Sequence, residues 1–433
     1  MPHKIIIKNF SSLIIAQVLY KVITFLMMIA IARYLGVDRF GQLSYALSFV
    51  WVFMFLSDFG LSELFIRDVA QDVKLKEKYI NNIITLKIFL GVFIFGAIYF
   101  FATIFSLGRN AVSAAIIILG ASVIFDSFMY FFRSIFRVEE TMEYEGILLL
   151  IEGVLKLAVI VIAIRFGLNI PGVILISLAM LAVSLINFTV NLVIFTRKNP
   201  NLAFSFDLWF WLSILKSAAP FMSISILTFL NFRINIIALS LIKGDYSAGL
   251  YNANYRLLEQ ILLLPIAFSA ASLPAFSRLS ASLGSLNSFL RKVFFLALFV
   301  SISLIISCYL FGAQIINLIY GESFQDAGIY LGMLSWVLLP FFVKAVIEKL
   351  LFGLRKQGAL LFIYLSGSGL NILLNIILIP SIGINGASFG TFICELLIVL
   401  TCILLFRKSL TGSISSAEIM NVKKDNIINE SAY

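Results

Sequence analysis

The apolar residues of this chain fall in long unbroken runs, without the strict alternation of half-buried strands or the narrow stripe of a soluble amphipathic helix. A helix crossing the hydrocarbon core of a bilayer needs about 20 mainly apolar residues. Runs of that length lie near 11–34, 42–66, 83–107, 111–136, 146–165, 171–196, 217–242, 249–275, 292–312, 327–352, 359–380 and 386–406. The pattern predicts an all-α, polytopic membrane protein of about 12 transmembrane helices, joined by short connections into one bundle without a soluble domain.

The sixth and seventh runs are joined by "RKNPNLAFSFDLWFWLSILKSAAP" (197–220), where Phe206, Trp209, Trp211 and Leu215 suit a helix lying in the membrane interface. Such a segment either hinges two halves or simply anchors a linker. The helix count divides there, giving an N-terminal six-helix lobe (1–210), a C-terminal six-helix lobe (211–408) and a flexible polar tail (409–433). A short internal match supports the division. "GVDRFGQLSYA" (36–46) follows the first run and "GDYSAGLYNAN" (244–254) the seventh, with Gly36 and Gly41 aligned to Gly244 and Gly249. Repeats of this kind are common in transporters, with the substrate site between the halves.

Composition agrees. Of 433 residues, 61% are hydrophobic and 12% charged, with a mean hydropathy of +1.05; soluble domains are about half apolar and a quarter charged. The net charge of +10 does not point to nucleic acid, because most basic residues sit in the short connections. With the N-terminus in the cytoplasm, the inner side receives Lys4, Lys8, Arg67, Lys74, Lys76, Lys78, Arg137, Arg197, Lys198, Arg278, Arg291, Lys292, Arg355, Lys356, Arg407, Lys408 and the tail's Lys423 and Lys424. The outer side keeps Arg33, Arg39, Arg109, Arg165 and Lys243, an asymmetry that places both termini inside. Cys308, Cys394 and Cys402 lie in apolar runs without metal-ligand spacing, and the only histidine is His3, so neither a disulfide framework nor a metal site is expected. The N-terminal apolar stretch carries Lys21 and no small-residue cleavage site, so it reads as a span and not as a cleaved signal. "DFG" (58–60) has no accompanying kinase signatures, and no nucleophile–base–orienter set is present; enzyme chemistry is not expected.

Charges within the runs carry the functional information, since each costs roughly 2.5–3.5 kcal/mol at a helix centre. Glu152 with Lys156, Lys344 with Glu348, and Arg256 with Glu259 are spaced to cancel one another within a helical turn. Lys21 and Arg233 have no acid within four residues. Each lies in the first helix of its half, so each either lines a shared polar cavity or pairs with a distant acid. Arg256 sits among Asn252, Tyr255 and their neighbours, groups suited to sugars and, through the guanidinium fork, to phosphate. Lys21, Arg233, Arg256, Tyr255, Asn252 and Lys344 are therefore the candidate substrate-binding residues. Asp58, Asp126 and Glu395 have no local counter-charge; with Asn235, Asn371 and Asn375 they are candidates for ion coupling, or else make interhelical hydrogen bonds.

Four stretches, "ARYLGVDRFGQLSYALSF" (32–49), "DFGLSELFIRDVA" (58–70), "LIKGDYSAGLYNANYRLLEQI" (241–261) and "NILLNIILIPSIGINGASFGT" (371–391), resemble in order and spacing the bacterial polysaccharide flippases. These belong to the multidrug/oligosaccharidyl-lipid/polysaccharide exporter superfamily, and the nearest branch is the Wzx-type O-antigen flippases. The resemblance covers nearly all of the chain except the tail. It implies two six-helix lobes forming a V-shaped bundle around a central cavity in the bacterial inner membrane. It further implies ion-driven alternating access that carries an undecaprenyl-diphosphate-linked oligosaccharide from the cytoplasmic to the periplasmic leaflet. No cofactor is implied beyond an H+ or Na+ gradient; other polysaccharide-assembly membrane proteins are the protein partners to expect. Cationic cavity residues of the family engage the diphosphate or acidic sugars, a role for which Lys21, Arg233 and Arg256 are the candidates here, although no fixed motif marks these positions. Three alternatives stay open: export of another lipid-linked unit (capsule, exopolysaccharide or teichuronic type), cation-coupled multidrug export, and a non-transporting scaffold.

Overall fold

A computed structural model describes residues 2–106, 108–265, 283–353 and 357–406; the polar tail expected over 409–433 lies outside them. Helices and short connections account for the described residues, with no strand among them. In chain order the helices are α1 (Pro2–Asp58), α2 (Leu61–Gln71), α3 (Lys76–Phe105), α4 (Asn110–Val138), α5 (Met142–Phe166), α6 (Gly172–Lys198), α7 (Leu208–Lys243), α8 (Asp245–Ile261), α9 (Leu283–Tyr320), α10 (Ala327–Ser335), α11 (Leu338–Gly353), α12 (Gln357–Ile382) and α13 (Ile384–Phe406). Among the described residues ten segments are long and apolar enough to span a membrane. The first, Leu13–Gln71, contains two of the runs read from the sequence, because α1 turns at Gly36 (φ 71°) without leaving helical hydrogen bonding for long. The eighth run, 249–275, is described only to 265.

Two compact units divide the chain. The first comprises Met1–Arg256, Ala313–Tyr330 and Ile379–Ile384; the second comprises Leu257–Gly312, Leu331–Leu378 and Asn385–Tyr433. In the second unit, Ile347 and Leu351 of α11, Leu360 and Ile363 of α12, and Ile398, Val399 and Cys402 of α13 form one buried apolar cluster. In the first, α2, α3, α4 and the start of α7 share a core built on Leu61, Phe65, Ile83, Phe131 and Trp211.

The repeated glycines explain how the first unit is assembled. Gly36 and Gly244 both take positive φ (71° and 89°), a conformation open to glycine at little cost, and each lets a second helix leave at an angle. Gly41 and Gly249, five residues later, then meet across the crossing of α1 and α8. A β-carbon on Gly41 would overlap the carbonyl of Asp245, and one on Gly249 would overlap the carbonyl of Val37. The contact is reciprocal: at the offset relating 36 to 244, Val37 corresponds to Asp245 and Ser44 to Asn252. Ser44 and Asn252 themselves hydrogen-bond at 2.6 Å. The two matched segments therefore pack as a self-complementary pair, as in a two-fold interface.

Around this crossing the outer ends are tied by polar contacts. Arg109 donates to Ser240 at 3.0 Å and to Asp245 at 2.6 Å, and lies 4.8 Å from the centre of the Tyr45 ring. Arg33 donates to the carbonyls of Leu318 (2.7 Å) and Ile319 (2.9 Å) near the end of α9, where helical partners run out. At the opposite end Glu139 accepts from Lys76 and Lys198 and so joins the ends of α3, α4 and α6. Burial acts to raise the Glu139 pKa, but its hydrogen bonds to the two ammonium groups outweigh burial and hold it below the usual carboxylate range.

The linker is helical only from Leu208, so Trp209, Trp211 and Leu215 lie in a helix as expected and Phe206 does not. Residues 202–207 form no regular element, and α7 begins only at Leu208, after an extended Asp207 whose side chain caps the Phe210 N–H (3.0 Å). Alternate linker residues meet successive turns of α3: Asn201 donates to Glu77, the Ala203 N–H to Asn81, and the Ser205 N–H to Thr85. Two extended residues advance about 6.6 Å and one helical turn 5.4 Å, which is close enough to keep this register for three turns. Trp209 is 83% exposed, as an interfacial residue should be, whereas Trp211 turns inward and donates its indole N–H to Asn82.

A lysine in the third span, Lys87, is fully buried and is neutralised by Asp58 (2.7 Å) at the end of α1. Lys87 also donates to Ser127 of α4, and Ser62 of α2 donates to the same Asp58 oxygen. One charge pair thus pins four helices just where the backbone breaks at Phe59 and Gly60, both of positive φ.

Two outcomes test this account. Gly41→Ala and Gly249→Ala should each lower the thermal midpoint in detergent by several degrees, since overpacking costs about 1–3 kcal/mol. Gly96→Ala, whose β-carbon meets open space, should leave it unchanged; equal effects at all three would refute the crossing. Lys87→Met should cost about 3–5 kcal/mol by stranding a buried carboxylate, and adding Asp58→Asn should recover much of it. A double variant no more stable than the single one would show that the pair is not the source.

Candidate functional site

The first helix of the second sequence repeat, α7, carries Arg233 between the apolar residues of a spanning segment. Its guanidinium is not left to hydrocarbon. It donates to the side-chain oxygen of Asn252 at 3.4 Å and stands 5.3 Å from the centre of the Tyr255 ring, both on α8. Asn252 and Tyr255 are three residues apart and so share a face of α8. Asn252 passes its own N–H to Ser44 of α1, which ties the cluster to the reciprocal crossing. Behind it, Asn235 donates to the Tyr251 hydroxyl at 2.7 Å, and the Tyr251 and Tyr255 rings stack at 6.0 Å. A half-buried, oriented guanidinium flanked by an amide and a phenol is suited to bind an anion whose neighbouring groups are hydroxylated.

The structure therefore brings together three of the six residues expected to bind substrate, Arg233, Asn252 and Tyr255, with Asn235 from the ion-coupling set beside them. Arg256 follows Tyr255 on α8 and is partly buried. Lys21 is exposed on α1, and among the described residues no hydrogen bond or ion pair joins its ammonium group to the α7–α8 cluster. Lys344, spaced in the sequence for a one-turn pair with Glu348, also reaches across helices, to Glu395 of α13 at 2.6 Å. Lys344 lies 4.0 Å from the centre of the Phe341 ring, and both ends of the pair are almost wholly buried.

The acids without a local counter-charge thus have distant ones: Asp58 has Lys87, and Glu395 has Lys344. Asp126 differs. It accepts from Ser184 at 2.8 Å, and Ser184 in turn shares a hydrogen bond with Ser122. Nearby, Glu152 forms the expected pair with Lys156 (2.6 Å), pairs also with Arg133 (2.7 Å), and accepts from the Tyr20 hydroxyl. Asn371 and Asn375 hydrogen-bond each other one turn apart on α12. No group of three or more histidine, cysteine or acidic side chains suited to a metal ion occurs among the described residues.

Sequence reading missed Lys87, Arg133 and Tyr20. A signal was present for the first two, since each is a cation inside an apolar run. Tyr20 gave none, because a lone tyrosine in a span is unremarkable until Glu152 is placed beside it.

Comparison with known proteins agrees with this architecture. A family model for "Polysaccharide biosynthesis protein" matches residues 6–280. The capsular polysaccharide biosynthesis protein CapF of Staphylococcus aureus is 25% identical over 341 residues, which is 77% of this chain and 82% of CapF. Among solved structures, the lipid II flippase MurJ in an inward closed conformation matches with a TM-score of 0.75 at 16% identity, covering 94% of this chain and 92% of MurJ. An inward-facing multidrug resistance MATE family transporter of the MOP superfamily matches with a TM-score of 0.67 at 16% identity, covering 89% and 94%. The all-helical fold is the one shared by those two proteins, and the chain belongs to the polysaccharide biosynthesis protein family.

Proposed function

We propose that the protein is a flippase that moves a polyprenyl-diphosphate-linked oligosaccharide from the cytoplasmic to the outer leaflet of the bacterial cytoplasmic membrane, with both of its termini inside. The observation that carries this reading is Arg233, a cation in a spanning helix, oriented by Asn252 and Tyr255. A diphosphate is an anion that an oriented guanidinium binds through its planar donor fork, and the polyprenyl chain stays in the bilayer while the polar head passes. The proteins that the chain resembles include a lipid II flippase and a capsular polysaccharide biosynthesis protein, and the latter favours a capsule-type unit over an O-antigen repeat unit as cargo.

The multidrug reading has less support. A carrier of cationic drugs needs acids available to its cargo, and here Asp58 and Glu395 are each engaged by a lysine. Coupling to an H+ or Na+ gradient is part of the proposal, with Asp126, bound to a hydroxyl and not to a cation, as its acid.

Reconstitution tests the reading. In proteoliposomes with an imposed ion gradient, the wild type should move undecaprenyl-diphosphate-linked glycan across the bilayer. Arg233→Ala should slow it at least about ten-fold, the loss expected of a hydrogen bond to a charged group. Arg233→Lys should recover only part, since an ammonium lacks the planar fork. Wild-type rates in Arg233→Ala would refute the role of the arginine, and efflux of a cationic dye without glycan movement would favour the drug-exporter reading.

A further inference from the structure

One turn below Arg233 on the same face of α7 is Phe229, and it is stacked on Trp51 of α1, with ring centres 6.1 Å apart and planes at 13°. Phe55 closes on the same ring at 5.4 Å. Trp51 is an unusual tryptophan for a membrane protein. Tryptophans gather at the two interfaces, where the indole N–H meets water or head groups. Trp51 lies nine residues inside the 42–66 span, about 13 Å along the helix from its start. The side chain is not packed away either, because Trp51 remains 39% exposed. Among the described residues its indole N–H has no hydrogen-bond acceptor, whereas that of Trp211 has Asn82. An unpartnered donor at this depth is costly in hydrocarbon. Buried indoles normally find a partner.

Trp51 is also placed by the elements that hold the anion cluster. It lies seven residues, two helical turns, after Ser44, the residue that anchors Asn252 and through it Arg233. With the N-terminus inside, Trp51 and Phe229 fall on the cytoplasmic side of Arg233. The separation along the helices is about 6 Å from Phe229 to Arg233 and about 10 Å from Trp51 to Ser44. That is the scale of the step from a diphosphate to the first sugars attached to it.

We infer that Trp51, backed by Phe229, is a sugar-stacking subsite: its free ring face covers the apolar face of a pyranose near the diphosphate, and its N–H donates to a sugar hydroxyl. Resting on the flippase reading, this names the part of the substrate that the aromatic pair recognises. It gives the protein a reason to favour a glycan-bearing lipid over the bare polyprenyl diphosphate.

Two measurements decide it. The first takes the emission of Trp51 as the difference between the protein and Trp51→Phe in vesicles. Acrylamide should quench this component, phospholipids with brominated acyl chains should not, and undecaprenyl-diphosphate-linked oligosaccharide should protect it from acrylamide where undecaprenyl diphosphate does not. Quenching by the brominated chains would place the indole against lipid and overturn the subsite. The second compares binding of the same two lipids. Trp51→Leu should weaken the glycan-bearing lipid about 3- to 10-fold, the range of an aromatic stacking contact. It should leave the sugar-free lipid unchanged, with an unaltered thermal midpoint, and Trp51→Tyr should keep most of the affinity. Equal weakening for both lipids, with wild-type transport of the glycan intact, would overturn the subsite alone. A wild type that neither binds nor moves the glycan-bearing lipid would overturn the flippase reading together with it.

Discussion

Hydrocarbon offers an ionised side chain neither a counter-charge nor a hydrogen bond, so each charge carried into this bundle has to be answered from within it. Asp58 and Lys87 answer one another across α1 and α3, and Lys344 and Glu395 across α11 and α13. Glu152 satisfies two cations and a phenol at once. The pairs do more than cancel charge. Breaking one strands a buried ion, which costs more than the intact pair contributes, so they fix which helices are neighbours. Helix association in lipid has little hydrophobic drive of its own and depends on such polar contacts and on close packing.

Close packing is supplied by the paired glycines. Gly41 and Gly249 allow the backbones of α1 and α8 to approach until side chains have no room between them, and Gly36 and Gly244 supply the turns that aim the helices at that point. The matched segments answer one another, as the Ser44–Asn252 hydrogen bond shows. Arg233 is then oriented by a residue of the crossing itself. The Arg233 cluster and the packing device are therefore one assembly, and a change in the crossing would be felt at the guanidinium.

That coupling sits in a member of the polysaccharide biosynthesis protein family. The cluster of Arg233, Asn252 and Tyr255 is assembled from two consecutive helices and held by a third, with an aromatic pair one to two turns away. Charge and aromatic surface are thus offered side by side, the combination suited to the anionic, glycosylated lipid head proposed as cargo.

The sequence by itself determined the class of the molecule. The length and number of the apolar runs leave only a helical membrane bundle, because every backbone polar group in hydrocarbon must be satisfied within its own helix. The glycine match and Arg233, a cation with no acid within four residues, were also legible, since each is a departure from a uniform background. Pairing across helices was not. Lys87 lies 29 residues from Asp58, Lys344 lies 51 from Glu395, and Tyr20 lies 132 from Glu152, so no local spacing marked them. Lys344 has Glu348 one turn away in the sequence, and only the tertiary structure adds its contact with Glu395. The linker was likewise decided by its neighbour: Trp209, Trp211 and Leu215 are helical in α7 as expected, but hydrogen bonds to Asn81 and Thr85 of α3 hold the residues before them, Phe206 included, outside any helix. Which residues enter the membrane follows from composition over some twenty positions; which of them meet depends on how the helices are turned and crossed, and that is set by packing between residues far apart in the chain.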